Sequence, residues 1–248
     1  MMRFDLSDEE WAVIEPLLPN GGRGPQRVDD RRVLNGIFYI LRTGAPWRDL
    51  PERYGPRTTV YNRYARWARR GIWKAIFDGL AEHSGDSLFF IDSSIVKAHR
   101  AAAGAKGGNA QDIGRSRGGR TTKVHAVVDE RGRPRRFIIT GGQVHDGQVL
   151  PDLLKDAGAP LAVVADKAYG SRAIRQIIAD DGALAVIPSK SNARDLIPHD
   201  AGLYKMRNIV ERFFCTMKDM RRLATRFEKL SRNFLAMIHI FAIRLWIN

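Results

Sequence analysis

Tyr204-Lys-Met-Arg207-Asn-Ile-Val-Glu211-Arg-Phe-Phe-Cys-Thr-Met-Lys218 contains neither glycine nor proline and is long enough for a stable helix. At about 100° per residue, Tyr204, Arg207, Glu211 and Lys218 fall within an arc of roughly 60°. Ile209, Val210, Phe213, Phe214, Met217 and Met220 fall on the other side. The spacing predicts one helix over 204–218, with an apolar face to bury and one carboxylate, two cations and a phenol opposite it. Cys215 is assigned to the apolar side as a small core residue. On spacing alone the polar face reads as a solvated one. Two upstream runs argue for more: Leu88-Phe89-Phe90-Ile91 ends in Asp92, and Leu161-Ala-Val-Val-Ala165 ends in Asp166. Each is a short continuous apolar run, the pattern of a buried strand.

Residues at the ends of central strands in a mixed sheet lie side by side, and a helix packed on that sheet can bring Glu211 to meet them. A trio of carboxylates offers the hard oxygen donors that divalent cations prefer. Two such ions about 4 Å apart can activate a water or hydroxyl and stabilise the leaving oxygen of a phosphodiester.

Between and after these runs, Thr121–Asp129 alternates as a strand, Glu130–Pro134 is a hairpin turn, and Arg136–Thr140 returns. Helices are expected over about 146–156 and from a Ser171 cap to Asp180, a strand over Ala183–Ile187, and a last helix over Phe234–Trp246. Residues 101–119, rich in Gly, Ala and Arg, read as a flexible loop. Its Gly-Ala-Lys-Gly-Gly is no phosphate-binding P-loop, because Lys106 is not followed by Ser or Thr.

The first third of the chain is helical by pattern. Ser7-Asp8-Glu9-Glu10 is a capping box ahead of Trp11, Ile14, Leu17 and Leu18. Gly22-Arg-Gly-Pro25 is a loop. A second helix runs from about Asp29 to Arg42 and closes at Gly44, followed by the turn Ala45-Pro46-Trp47-Arg48-Asp49-Leu50-Pro51. Thr58 or Thr59 caps a third helix to Arg70, and a fourth covers about 72–83. Four short helices, the third bearing Arg63, Arg66, Arg69 and Arg70 interleaved with Tyr61, Tyr64 and Trp67, resemble a helix-turn-helix module that binds DNA. The alternative is a bundle whose arginines are merely solvated.

Composition narrows the partners. The 248 residues are 44% hydrophobic and 27% charged, an ordinary globular balance, with a net charge of +14 that favours a polyanion. The cations cluster over 53–74, 97–123 and 205–232, which suits a long anionic ligand better than a small acidic metabolite. A single cysteine excludes an intramolecular disulfide and a cysteine zinc cluster. No apolar run reaches the ~18 residues of a membrane span, and a cytoplasmic location is expected.

The ordered motifs resemble those of the DDE transposases of bacterial insertion sequences, in the branch numbered five within the wider group numbered four. They are Ile91-Asp92-Ser93-Ser94 with Val96 and His99, then Gly114-Arg115-Ser116-Arg117-Gly118-Gly119-Arg120-Thr121-Thr122-Lys123. Ala165-Asp166-Lys167-Ala168-Tyr169 and Ile187-Pro188 follow, and last comes Tyr-x2-Arg-x3-Glu-x6-Lys at Tyr204, Arg207, Glu211 and Lys218. Gly44–Pro51 is also typical of that branch. The one departure is Ala168, where the pattern has Gly.

The resemblance covers nearly the whole chain. It implies an RNase H-like mixed-sheet catalytic domain over 87–248, preceded by the small all-α domain over 1–86. It implies Asp92, Asp166 and Glu211 as the catalytic carboxylates, holding Mg²⁺ or Mn²⁺, two ions per site. Arg207, Lys218 and Tyr204 would contact and position DNA at the scissile phosphate. Arg63, Arg66, Arg70, Arg117, Arg120 and Lys123 are the further DNA-contact candidates. The implied partners are double-stranded DNA, as terminal inverted repeats and target, and a second copy of the chain in a dimer or larger complex. A DNA-binding regulator with an inert nuclease fold and a nuclease without strand transfer are the competing classes.

Asp129 is read as a turn residue and Asp146 as a helix cap, with a place near the metal ions as the alternative. Ser93 and Ser94 are set aside as nucleophiles for want of an adjacent base.

Overall fold

The computed structural model describes residues 4–19, 28–82, 87–103 and 111–248. The loop expected at Gly22–Pro25 and the glycine-rich stretch around Lys106 lie outside the described residues. The chain divides into two compact units, one of residues 1–83, 99–108 and 217–248, the other of 84–98 and 109–216.

The helical unit starts with α1 (Asp8–Ile14), closed by the capping box: the Ser7 hydroxyl accepts from Glu10 N–H and the Glu10 carboxylate from Ser7 N–H. α2 (Asp30–Thr43) is capped by Asp29 and stopped by Gly44 in the left-handed region at φ 70°. α3 (Arg57–Arg69) follows Pro56 with no side-chain cap, so neither Thr58 nor Thr59 starts it. α4 (Ile72–Ala81) completes the N-terminal set. The C-terminal helix joins them. It is apolar nearly all round, with Phe234, Met237, Ile238, Ile240, Phe241 and Ile243 all buried, and such a helix must be covered on every side. α3 and α4 supply much of that cover. Compactness therefore places the last 32 residues with the N-terminal helices, unlike the expected division after residue 86.

In the sheet unit, β1 (Leu88–Ala98) does not stop at Asp92. It continues because β3 (Gly119–Val128) pairs with it, antiparallel, as far as Lys97↔Thr121. β2 (Gly114–Ser116) folds onto the start of β3, turning part of the expected loop into a hairpin with Arg117 at its tip. β4 (Pro134–Gly141) flanks β3 antiparallel.

α5 (Leu150–Leu154) is shorter than expected, because 146–148 forms a separate 3₁₀ turn. β5 (Ala162–Ala165) lies parallel to β1, and β6 (Leu184–Val186) parallel to β5, with α6 (Arg172–Asp180) between them in sequence on its Ser171 cap. The order β4-β3-β1-β5-β6, antiparallel on one side of β1 and parallel on the other, is the RNase H-like arrangement.

Phe89, Ile91, Val127, Leu150, Leu153, Ile174 and Ile178 make one core beneath this sheet. On the other face, Phe213 stacks on Phe137 of β4 at 6.0 Å between centroids. The helix predicted over 204–218 is two: α7 (Ala201–Lys205) and α8 (Asn208–Asp219), separated by Met206 and Arg207. Backbone bonds from Arg207 to Tyr204 and from Ile209 to Met206 skip three residues instead of four, so the chain tightens through the break.

Candidate active site

Register places the first two carboxylates. The last parallel pair of β1 and β5 is Ile91↔Ala165. The next residue along each segment is an aspartate, Asp92 still within β1 and Asp166 just past the end of β5, so the two start about one strand spacing (~4.8 Å) apart at the backbone. Each is steadied by a main-chain donor: Ser93 N–H gives 2.7 Å to Asp92 Oδ1, and Ala168 N–H gives 2.8 Å to Asp166 Oδ1. Ala168 fits this turn without strain, since positive φ outside glycine occurs only at Asp112 and Asp156 among the described residues.

Glu211 joins through an arginine. Arg207 Nη1 donates to Asp92 Oδ2 at 3.2 Å, and its Nη2 is hydrogen-bonded to Glu211 Oε1, so one guanidinium bridges two of the three acids. The break between α7 and α8 sits at Arg207. Tyr204 is half-buried, edge-on to His199, with its ring 6.0 Å from the Arg207 guanidinium carbon. Lys218 is exposed, seven residues beyond Glu211 on α8.

Burial pushes the Asp92 carboxyl up from its ordinary value; the Ser93 N–H and Arg207 pull it down, and Asp166 and Asp146 push it further up. Arg207 is drawn down by burial, but Glu211 and Asp92 carry its guanidinium above its ordinary value. Two of the three carboxylates thus share the Arg207 guanidinium. Among the described residues, no three His, Cys, Asp or Glu side chains gather closely enough to hold an ion.

Sequence reasoning missed the network on the opposite face. Ser93 follows Asp92 on β1, so its side chain turns the other way, and its hydroxyl donates to Asp146 Oδ1 at 2.8 Å. Asp146 also pairs with Lys123 at 3.0 Å and approaches the buried His125 Nδ1 at 3.6 Å. It is therefore no cap; His145 caps the 146–148 turn instead. Gly142 lets the 141–146 loop return across the sheet: a Cβ there would stand 1.9 Å from Thr121 Oγ1. Lys123 Nζ holds the loop through Val144 O at 2.7 Å. The available signal was the pair of glycines, 141 and 142, closing a strand just before an acid. Burial of the Tyr169 phenol, with Asp146, Asp92 and Asp166 nearby, raises it far above its ordinary value.

The other candidates separate by exposure. Arg66, Arg70, Arg117 and Arg120 are exposed. Arg63 is not: it is 4% exposed and paired with Asp30, so it belongs to the interior of the helical unit and leaves the set of DNA contacts. Tyr64 and Trp67, read as interleaved with the surface cations, are buried with it. Lys123 is taken up by Asp146 and Val144. Asp129 is a turn residue, its carboxylate accepting from Arg131 and Arg133 N–H. Cys215 is exposed, because position 215 lies one turn past Glu211 on the polar face.

Two sequence families match the chain. A family described as "Putative transposase of IS4/5 family" matches residues 6–77, and one described as "Transposase DDE domain" matches residues 83–246. The second match spans about two thirds of the protein, and the chain belongs to the transposase DDE domain family.

Among its relatives, "Putative transposase for insertion sequence element IS6501" of Brucella ovis is 34% identical over 132 residues, which are 52% of this chain and 99% of that protein. "Uncharacterized protein y4sN" of Sinorhizobium fredii is 37% identical over 121 residues, 48% of this chain and 90% of the other. "Insertion element IS402 uncharacterized 16.2 kDa protein" of Burkholderia cepacia is 36% identical over 126 residues, 44% and 83% respectively. A solved structure titled "Mos1 transposase paired-end complex with left transposon end" aligns over 88% of this chain and 81% of its own, at 12% identity and a TM-score of 0.30. That overlay is too loose to assign any residue. No described helix is long and apolar enough to cross a membrane.

Proposed function

We propose that this transposase cuts the ends of its insertion element to expose a 3′-OH and joins that 3′-OH to target DNA by phosphoryl transfer at Asp92, Asp166 and Glu211. The observation that carries the reading is the register: Asp92 and Asp166 follow the last β1–β5 pair on neighbouring strands, and Arg207 ties Glu211 to Asp92.

In donor chemistry, though not in how closely the acids gather, the set fits a divalent metal. All three groups are hard carboxylate oxygens, and Asp166 and Asp146 add to the negative charge around Asp92. Asp92, Asp166 and Glu211 would hold Mg²⁺ or Mn²⁺, two ions in this proposal, which would supply charge to activate the attacking hydroxyl and steady the leaving oxygen.

The remaining roles fall to the chain. Arg207 holds two acids together until a scissile phosphate offers the guanidinium a better partner, for which its planar fork is suited. Lys218, on the polar face of α8, neutralises backbone charge, and Tyr204 limits where the strand can lie. Arg66 and Arg70 on α3, with Arg117 and Arg120 on the β2–β3 hairpin, are the proposed contacts to the duplex. Terminal repeats and target DNA are the proposed substrates. Joining two ends calls for two protomers, so a dimer or larger complex on DNA is expected.

The test is strand cleavage of a supercoiled plasmid carrying the DNA that flanks this gene, with Mg²⁺ or Mn²⁺, with EDTA, and with Asp92→Asn. Metal-dependent nicks at inverted repeats, absent in the variant, are expected. Binding to those ends without cutting would mean an inert regulator, and cutting without regard to the ends a simple nuclease.

A further inference from the structure

Within the helical unit, a cleft of about 680 Å³ opens between the turn at 47–49, α3 and residues 227–230. That is within the size range of small-molecule sites. Its walls are aromatic. Trp47 stands edge-to-face with Tyr61 at 5.4 Å and lies 5.2 Å from Tyr64, and Phe227 faces them from the C-terminal segment. Tyr61 keeps 40% of its surface in solvent beside the opening.

The cleft also contains an incomplete hydrogen bond. Glu228 lines it and is 7% exposed. Its Oε1 accepts from Arg222 Nε at 2.8 Å, while its Oε2 is buried with no partner among the described residues. A buried carboxylate oxygen left unpaired is unfavourable, so a ligand that brings a donor is bound at an advantage.

A lone cation could be that donor, since aromatic walls and a carboxylate form a cation cage. The charges oppose it. Arg222, 5.1 Å from the Phe227 ring, and Lys229 on the rim already outnumber Glu228. A neutral donor carried on an anionic chain fits better: flat apolar faces for the rings, an N–H for Glu228, and phosphates for the cations.

We propose that this cleft binds an unstacked, amine-bearing nucleobase of a DNA strand, stacked against Trp47 and Tyr61 with its exocyclic amine donating to Glu228. The proposal rests on the reading of DNA as the substrate. Adenine, cytosine and guanine qualify. Thymine offers only an imide N–H between two carbonyls, whose lone pairs would meet the carboxylate.

The test is fluorescence anisotropy of the full chain in EDTA, where no cutting occurs, with short single strands of dA, dC, dT or abasic sites and with duplex. The dA and dC strands are expected to bind about tenfold more tightly than dT or abasic strands. Tyr61→Ala should erase that difference and leave duplex affinity unchanged. Glu228→Gln, which presents an amide N–H in place of the free oxygen, should shift preference towards dT. If that buried substitution does not fold, the exposed Tyr61 variant still decides. Equal affinity for all single strands with duplex binding intact overturns the cleft and leaves the proposed function standing. Absence of binding to any DNA overturns both. Competition of dC by tetramethylammonium would make the cleft a cation site and overturn the proposal.

Discussion

In the helical unit, Arg63, Arg222 and Arg244 turn inward onto Asp30, Glu228 and Glu10. In the sheet unit, Asp92 and Asp166 follow neighbouring strands, and the Arg207 guanidinium bridges Asp92 and Glu211. One unit pairs its interior charges off; the other keeps a surplus of one sign at a strand edge. A basic composition therefore says little about which cations are free to meet DNA. Arg63 and Arg66 sit three residues apart on the same helix, one in the core and one in solvent.

The sharpest way to break the contrast is to neutralise the surplus. Asp166→Asn or Glu211→Gln should lower metal-dependent strand cleavage on the order of 10³-fold or more while DNA affinity stays near wild type. Wild-type cleavage by either variant, measured on the same plasmid, would remove that residue from the site.

Next in size is the inward arginine. Arg63→Ala removes the guanidinium that pairs with the nearly buried Asp30, and should cost on the order of 2 kcal/mol in urea unfolding. Arg66→Ala should change stability by less than about 0.5 kcal/mol, and should instead reduce the salt dependence of DNA binding by about one ion. Equal effects of the two substitutions on stability would erase the distinction between inner and outer cations.

Both units also hold a neutral buried histidine. Burial lowers His125 to about 4, against which Asp146 pulls upward and Lys123 adds to the lowering. Burial lowers His239, stacked on Phe77, to about 3, with Lys74 adding to the effect. The ordinary value is 6.5, so below it the unfolded chain takes up protons that the folded chain refuses. Stability present above about pH 6.5 should therefore drain away as pH falls towards those folded values, by on the order of 3 kcal/mol for each histidine. Urea melts of His239→Phe at pH 7 and pH 4.5 check this: the variant should lose less stability on acidification than the parent.

The smallest expected effect concerns Asp146. It fixes the Ser93 hydroxyl, and Ser93 N–H fixes Asp92. Asp146→Asn should slow cleavage about tenfold, with the metal concentration for half-maximal rate raised. Unchanged metal dependence alongside slower cleavage would make the network purely structural.

Much of the candidate site was legible in the sequence because strand ends and helix spacing are local properties. Asp92 and Asp166 were found by the apolar runs that precede them, and Glu211 by its place opposite a buried face. Arg63 was misplaced because a basic helix with aromatic residues between its cations has the same pattern whether the arginine at one position faces Asp30 or a phosphate. Cys215 was misassigned although the helical period itself puts it beside Glu211. Asp146 was missed for a different reason: its partners are Ser93, Lys123 and His125, brought to it by the β1–β3 pairing and a loop that Gly142 allows to cross back.

The sequence by itself determined the alternation of apolar runs and acids, the capped helices, and the family to which the chain belongs. Those follow from periods of two and 3.6 residues and from motifs read along the chain. Only the tertiary structure decided which charges pair. Pairing depends on distances between residues far apart in sequence: Arg207 with Asp92, Arg63 with Asp30, Arg244 with Glu10, and a C-terminal helix buried among the N-terminal ones because no face of it is polar enough to meet water.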